Sequence, residues 1–507
     1  MSARLPFFSA IIVGAGPVGL ALGNLLGMYG LDVLIIERNA ALSDIPRAIS
    51  LDDEGLRVCQ AMGLADAVQA SLLYNLEAHY ISGKRLLARV APAHQRHGYP
   101  LISTFHQPTF ESILHAGLTR FPSVCIQFGY ALESCTQSIE SVRVSVRAPD
   151  GELQTFECAY LLACDGAKSK VRSELSLPMS GTTYGQRWLV IDSSEDTDTS
   201  TAVRFFCNPA RPAVTVPSPG SRRRWEFMLL PGEHEAEITQ PENIRALVRQ
   251  AGGPPQPCIT RAAIYTFHAA IARSFQQGRV FLLGDAAHLM PPFGGQGLNC
   301  GLRDAHNLAW KLWLVLQGLA GPALLATYTQ ERQVHSRQMI HLSRFLGHMI
   351  MPTARPLAGL RDTAFALVNL LPTARNFLSE AGIKPAPRYK RGFFQSHPMA
   401  KRALVGLMLP QPRVKTLAGT SILLDEMLGP GFALLSLNSS CAAMAGQPAW
   451  RKLQTRRLEL ESEISATLPI SADLCLLVRP DRYIYGAFHA PQAEQFTRAF
   501  EQHLAGS

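Results

Sequence analysis

Ala10-Ile11-Ile12-Val13-Gly14-Ala15-Gly16-Pro17-Val18-Gly19 opens a unit that closes at Leu31-Asp32-Val33-Leu34-Ile35-Ile36-Glu37, and its reading decides how the chain folds. The apolar run 10–13 reads as a strand and is followed at once by a glycine turn. Gly14 and Gly16 permit that turn and a close approach to a pyrophosphate, and Gly19 lets helix and strand pack. A small-residue helical stretch then leads to a second strand ending in Glu37, the acid that would accept ribose hydroxyls. Glycine spacing by itself is weak evidence; flanking strands and a terminal carboxylate at the expected distance make this a dinucleotide site. Which dinucleotide stays open at this point.

A competing reading has to be set aside. From Leu5 to Leu31 there is no charged residue, a length that would cross a bilayer. Three glycines, Pro17 and the return of charge at Asp32 fit a buried parallel strand and its packed helix better. The run has no small-residue cleavage site, so no secretory signal and no membrane span are expected, and a cytoplasmic location is the default.

The second informative segment is Arg279-Val280-Phe281-Leu282-Leu283-Gly284-Asp285-Ala286-Ala287-His288, continuing through Pro291-Pro292 to Gly294-Gly295-Gln296-Gly297-Leu298-Asn299. It reads as a buried strand delivering one carboxylate, Asp285, to a polar ligand, with Gly284 letting the backbone come close. A Gly-Asp pair standing alone is usually just a turn. Beyond the loop, Arg303 to Leu316 carries apolar residues at 305, 308, 309, 312 and 316, a helical face closed by Gly318. A helix therefore begins just past the glycines, and its free N–H groups and positive pole, worth about half a charge, favour an electron-rich group.

With Tyr160-Leu161-Leu162-Ala163-Cys164-Asp165-Gly166-Ala167-Lys168-Ser169-Lys170-Val171-Arg172 as a third match, these segments resemble the FAD-binding signature of the flavoprotein aromatic hydroxylases. That class includes para-hydroxybenzoate hydroxylase and phenol hydroxylase, and the chain is most similar to the 3-(3-hydroxyphenyl)propionate hydroxylases and their phenol-hydroxylase-like relatives. The resemblance spans nearly the whole chain and is densest at residues 10–60, 100–115, 160–172 and 263–335. It implies bound FAD, with Gly14, Gly16 and Gly19 around the pyrophosphate and Glu37 and Arg38 at the adenosine ribose. Arg47, in Pro46-Arg47-Ala48, matches an arginine that contacts the cofactor or the nicotinamide; its alternative is a surface salt-bridge partner. Gln107 matches a glutamine hydrogen-bonded to the cofactor, and Asp165 and Asp285 meet phosphates and ribityl hydroxyls. Gly297, Leu298 and Asn299 would present N–H groups to the flavin pyrimidine edge, with Pro292 close to C4a.

The resemblance also implies the chemistry. NAD(P)H reduces the flavin, the reduced cofactor adds O2 at C4a, and the hydroperoxide attacks an electron-rich aromatic ring. No second glycine fingerprint holds NAD(P)H, in keeping with transient docking. A phenol reacts better once its proton is partly removed, so the pocket should offer a base or a hydrogen-bond relay. Tyr265 aligns with a tyrosine that contacts the phenolic oxygen in phenol hydroxylase, with a buried structural tyrosine as the equal alternative. The aspartate that pairs with that tyrosine has no counterpart, since Asp52 and Asp53 fall a few positions late. Gln296 is a candidate polar group of the pocket. Related flavin oxygenases hydroxylate or epoxidise heteroaromatic and polyketide rings, and a non-catalytic FAD-binding module is the alternative from another class. A flavin halogenase is not expected, as no Trp-x-Trp-x-Ile-Pro element occurs.

The fold class expected is α/β: a Rossmann-like FAD-binding domain from residues 1–75, 100–180 and 275–345, interleaved with an antiparallel β-sheet substrate domain from 76–99 and 181–274. Residues 346–400 read as helices and a linker. Residues 401–507 resemble the thioredoxin-like C-terminal domain of phenol hydroxylases, with strands at Phe432 to Leu437 and Leu474 to Val478 and helices at Arg457 to Leu468 and Gln492 to Leu504. None of the ten cysteines forms a C-x-x-C pair, so a structural or homodimer-contact role is expected for this tail. Cys158, Cys164 and Cys475 read as buried thiols of a reducing compartment, and His288 and His306 lack zinc-ligand spacing, so no metal is expected.

At 507 residues, 47% hydrophobic and 17% charged, the chain can bury more than one core. Its formal charge of +9 is spread out, with Arg222-Arg223-Arg224 the only tight basic run, which reads as a solvated loop between strands. No aromatic-interleaved basic stripe accompanies that run, which argues against a nucleic-acid partner.

Overall fold

Phe7–Val13 and Val33–Glu37 lie side by side in parallel, Ala10 opposite Val33 and Val13 opposite Ile36, with the helix Pro17–Met28 crossing between them. The chain is described here from a computed structural model over residues 5–74, 76–395, 402–416, 419–437, 448–460, 468, 471 and 473–506. Leu153–Ala163 pairs in parallel on the other side of Phe7–Val13, followed by Val280–Leu282, while Val124–Phe128 extends the sheet beyond Val33–Glu37. Ala10, Ile11, Ile12, Leu161, Leu162, Val280 and Phe281 are fully buried, as a parallel sheet covered on both faces requires. Gly19 proves indispensable to this packing: a Cβ there would sit 2.0 Å from the Gly14 carbonyl oxygen.

A second sheet stands over the carboxyl ends of the first. Its strands run in the order His288–Leu289, Cys258–Ala272, Met179–Ser194, Arg222–Met228, Ala213–Ser218, Ala202–Phe206, Glu77–Ser82, Arg85–Val90. The sheet is not wholly antiparallel as the sequence suggested, because Ala202–Phe206 pairs in parallel with Glu77–Ser82, a strand supplied from far upstream. One face is sealed by the helix Pro241–Gln250, whose Ile244, Leu247 and Val248 pack on Trp225 and Phe227. The arginine run is a correction too. It begins the strand Arg222–Met228, where Arg223 is buried against Asp196 and Asp198 and Arg224 against Asp192. Acids on the preceding strand and its loop neutralise charges that local sequence presents as solvated.

Helices Gln296–Leu316 and Ala326–Ile350 pack beside the first sheet, and Arg355–Leu370 and Pro372–Ser379 follow. Among the described residues no helix is long and apolar enough to cross a membrane. The C-terminal sheet has the order Arg456–Glu459, Ala433–Ser436, Leu474–Val478, Ile484–His489, the first pair parallel and the rest antiparallel, with Ala493–Gly506 as its last helix. The helix expected from Arg457 is absent at its start, where Arg456–Glu459 is a strand; residues 461–467 lie outside those described.

Buried ion pairs fasten this tail to the rest. Arg57 meets Asp425 at 2.7 Å, and Arg479 meets Glu331 at 2.7 Å beside Lys311, 2.8 Å from the same carboxylate. Burial alone would raise both carboxyls, but Arg57 and Arg482 hold Asp425, and Arg479 and Lys311 hold Glu331, down to about 2. Burial also pushes His306 down to about 4. Between pH 6.5 and about 4 the unfolded chain binds a proton that folded His306 refuses. The depressed carboxylates contribute stability that is complete above about 4.5 and is lost as pH falls toward 2. The thermal midpoint is therefore expected to fall steadily on acidification from pH 6.5 and more steeply below about 4.5. A midpoint that stays flat from pH 6.5 to 3.5 would refute these assignments.

Candidate active site

The carboxyl ends of the first sheet and the open face of the second bound one crevice of about 890 Å³. Open α/β sheets bind ligands at this place, outside the strand ends. On its floor, Gly14 has φ +103° and approaches Cys164 so closely that a Cβ would lie 2.5 Å from the Cys164 oxygen, while the space around Gly16 is open. Glu37, at the end of its strand, accepts the Ala15 N–H at 2.9 Å and the Asn39 N–H at 2.9 Å, and the exposed Arg38 lines the crevice beside it. Asp165 accepts the Val171 N–H at 3.1 Å through one oxygen, and its other oxygen is buried with no partner. The Asp285 carboxylate projects into the crevice with no hydrogen bond from any described residue. Burial raises the Asp165 carboxyl from its usual range, and desolvation between the crevice walls raises that of Asp285, with His288 and Arg47 opposing it.

Past Asp285 the loop carrying Pro292 enters the crevice and turns at Gly295, φ +63°, into the helix Gln296–Leu316. No side chain caps that helix, so its first N–H groups, at Gly297 and Leu298 among others, face the crevice uncapped. Asn299 does more than present a backbone group: its amide accepts the Asp52 N–H at 3.1 Å and donates to the Gly295 oxygen at 2.8 Å, tying helix to neighbouring loop. Gln107 is likewise largely committed within the protein. Its oxygen accepts the Arg47 and Ala48 N–H groups at 2.9 and 2.6 Å, and its nitrogen donates to Glu111 at 2.7 Å. This pins the turn that displays Arg47, whose side chain lines the crevice and makes no ion pair among the described residues.

Asp52, read from sequence as misplaced, is in the crevice wall. Its carboxylate receives Gln296 at 3.3 Å and Lys384 at 3.0 Å, and Gln296 in turn accepts from Arg303 at 2.9 Å. Lys384 also meets Asp53 and Glu54, at 3.2 and 2.8 Å. Burial would raise Glu54, but Arg303 and Lys384 hold it well below its ordinary value, so this acidic group is already compensated. Tyr265 is a correction. Register puts it on the sheet face that covers the crevice, opposite Trp188, but Arg261 sits 5.3 Å over its ring and it is not among the residues lining the crevice.

A family model described as an FAD binding domain matches residues 8–343, and one described as the HcaD C-terminal domain matches residues 406–474. The 3-(3-hydroxy-phenyl)propionate/3-hydroxycinnamic acid hydroxylase of Klebsiella pneumoniae subsp. pneumoniae is 40% identical over 458 residues, spanning 89% of this chain and 83% of its own. The protein of that name from a Mycobacterium species is 38% identical over 517 residues, spanning 96% and 90%. This chain belongs to the FAD-dependent aromatic hydroxylases. The flavin-dependent monooxygenase PieE, solved with FAD and substrate, shares the fold with a TM-score of 0.83 at 21% identity, covering 98% of this chain and 99% of that one. Aklavinone-11 hydroxylase, solved with FAD and aklavinone, gives 0.82 at 22% identity, covering 99% of each.

The hydroxylase's floor suits FAD on its own geometry. The unpartnered oxygen of Asp165, the free carboxylate of Asp285, the open space at Gly16 and the uncapped helix start are the acceptors and donors that a hydroxylated, phosphorylated cofactor satisfies. Asp285→Ala is expected to weaken FAD by about 1 to 3 kcal/mol, the worth of a hydrogen bond to a charged group left unmade. Titration of apoprotein with FAD, followed by quenching of flavin fluorescence, checks it; an unchanged affinity would remove Asp285 from the site.

Asp52 was considered from sequence and set aside, and Lys384 and Glu226, an acid of the second sheet, were not singled out. Lys384 had no local signal, lying in a segment read as linker. Glu226 had one: an acid within Trp225-Glu226-Phe227-Met228, on the same parity as Arg224.

Proposed function

We propose that the enzyme takes reducing equivalents from NAD(P)H and transfers one oxygen atom of O2 to the ring of a phenol of the 3-(3-hydroxyphenyl)propionate or 3-hydroxycinnamate class. One observation carries this reading: a single crevice joins the FAD cradle to an apolar roof large enough for an aromatic ring. Ala78, Tyr80, Val203, Phe205, Val214 and Val216 line it, and the strand registers put them on one sheet face. Relatives named for those two substrates, 40% and 38% identical, support the substrate class. When bound, FAD supplies the redox chemistry and the activation of oxygen.

The protein's own residues position and shield. The roof packs a flat ring against the floor and keeps water from it. Phe293, 5.6 Å from Trp188 and 5.9 Å from Phe267, joins the floor loop to the roof, so the two walls hold a fixed separation. Gln296 and Lys384 hold the Asp52 carboxylate in the crevice wall as a fixed polar group. The parallel pair, antiparallel hairpin and final helix within residues 433–506 support the reading of the tail as thioredoxin-like, where it serves structure or a homodimer contact.

Oxidation of NADH and of NADPH is measured in air with a panel of phenols that includes both named compounds, and products are weighed by mass spectrometry. The expected result is ring-dependent NAD(P)H consumption with a product heavier by one oxygen atom. FAD binding without turnover on any phenol would contradict the reading and leave a binding module.

A further inference from the structure

Glu226 is a buried acid that no described residue satisfies. It sits mid-strand in Arg222–Met228, backbone-paired to Val190 on one side and Val214 on the other, so its side-chain direction is fixed. That direction is the crevice: Glu226 lines it on the same face as Phe205 and Val214, yet is only 8% exposed. Neighbouring cations are spent elsewhere. Arg224 donates to Asp192 at 2.7 Å and to the Arg47 carbonyl at 2.6 Å, and Arg261 meets the same Asp192 at 3.0 Å. Among the described residues no hydrogen bond or ion pair reaches Glu226, and its cross-strand neighbours, Val190 and Val214, are apolar. A buried carboxyl in such surroundings is costly unless a donor arrives, and the open direction for a donor is the crevice. Burial and nearby Asp192 push its carboxyl up, against Arg224.

We propose that Glu226 recognises the substrate, its carboxyl accepting a hydrogen bond from the ring hydroxyl so that the enzyme selects phenols over their methyl ethers. This rests on the hydroxylase reading above and adds the residue that reads the hydroxyl. An ether oxygen has no proton to donate, so it would leave Glu226 without a donor. Placement agrees with the role: Met228, two residues along the same face, pairs with Trp188, which packs on Phe293 of the floor loop. Glu226 thus stands one step from the layer where roof and floor meet.

The test uses FAD-loaded enzyme, titrated with 3-(3-hydroxyphenyl)propionate and with its 3-methoxy analogue, and reads Kd from the perturbed flavin absorbance. Wild type is expected to prefer the hydroxyl by about 10-fold or more, the value of one hydrogen bond to a carboxylate. Glu226→Leu should bring the ratio close to one, and Glu226→Gln, whose carbonyl still accepts, should keep part of it. Should Glu226→Leu lose FAD, the ratio in Glu226→Gln must still fall below wild type. A wild-type ratio in the variants, or equal weakening of both ligands, overturns the role of Glu226 while wild-type turnover upholds the hydroxylase. Failure of the wild type to bind either compound or to turn over any phenol instead removes the reading beneath it.

Discussion

Gly19→Ala is expected to purify without flavin and to bind added FAD at least about 100-fold more weakly than wild type, near 3 kcal/mol. The added methyl carbon would lie 2.0 Å from the Gly14 oxygen and 3.3 Å from Ile12 Cγ2, neither of which is the free end of a flexible side chain. The helix Pro17–Met28 must then lift from the sheet, carrying with it the turn at Gly14–Gly16 that is proposed to hold the cofactor's pyrophosphate. Relief by local adjustment is blocked because Gly19 through Gly27 are buried on that helix. Retention ratio at 450 nm and FAD titration measure the effect. A yellow variant with wild-type affinity would mean that the turn is not where the pyrophosphate lies.

Glu331→Ala should lower stability by about 3 to 5 kcal/mol, the cost of leaving buried charges without their partner. Both carboxylate oxygens are used: Arg479 and the Phe393 N–H approach one at 2.7 and 2.8 Å, Arg479 and Lys311 the other at 2.8 Å. Lys311, already pushed down to about 8 by burial against the pull of Glu331, would lose its charge near neutrality. Since Arg479 belongs to the C-terminal sheet's turn and Glu331 to the helix Ala326–Ile350, the variant should also loosen the tail, exposing it to limited proteolysis. Scanning calorimetry of the FAD-loaded protein reads the first quantity. A midpoint equal to wild type would show that the network is ornamental.

Sequence and structure agree where the determinants are local. Gly14, Gly16, Gly19 and Glu37 lie within one crossover unit, and the tight turn, the close helix–strand approach and the strand-end acid at those positions follow from spacing along the chain. Asp285 was legible for the same reason, since it follows the buried strand Val280–Leu282 in the turn Gly284–Ala286. The roof was not, because which residues converge there depends on register between strands far apart in sequence. Tyr265 shows the limit: distance from the Gly-Asp motif placed it on the right strand and face, but Arg261 covers its ring outside the crevice. Asp52 was judged late by counting, whereas the short pairing of Ser50–Leu51 with Ser103–Thr104 and the Asn299 stitch bring it into the wall. Arg222-Arg223-Arg224 misled because the acids that neutralise it come from the neighbouring strand and loop. At Arg456–Glu459, pairing with Ala433–Ser436 overrode a locally helix-like composition.

Under the proposed function, this crevice brings FAD, O2 and a phenol together for oxygen transfer. The most direct test is turnover of 3-(3-hydroxyphenyl)propionate under ¹⁸O2 with NADH or NADPH, followed by mass spectrometry of the product. Incorporation of one heavy oxygen atom into the ring, none of it from water, is the predicted result. Consumption of NAD(P)H that yields only hydrogen peroxide across the whole phenol panel, or a product whose new oxygen comes from water, would contradict it.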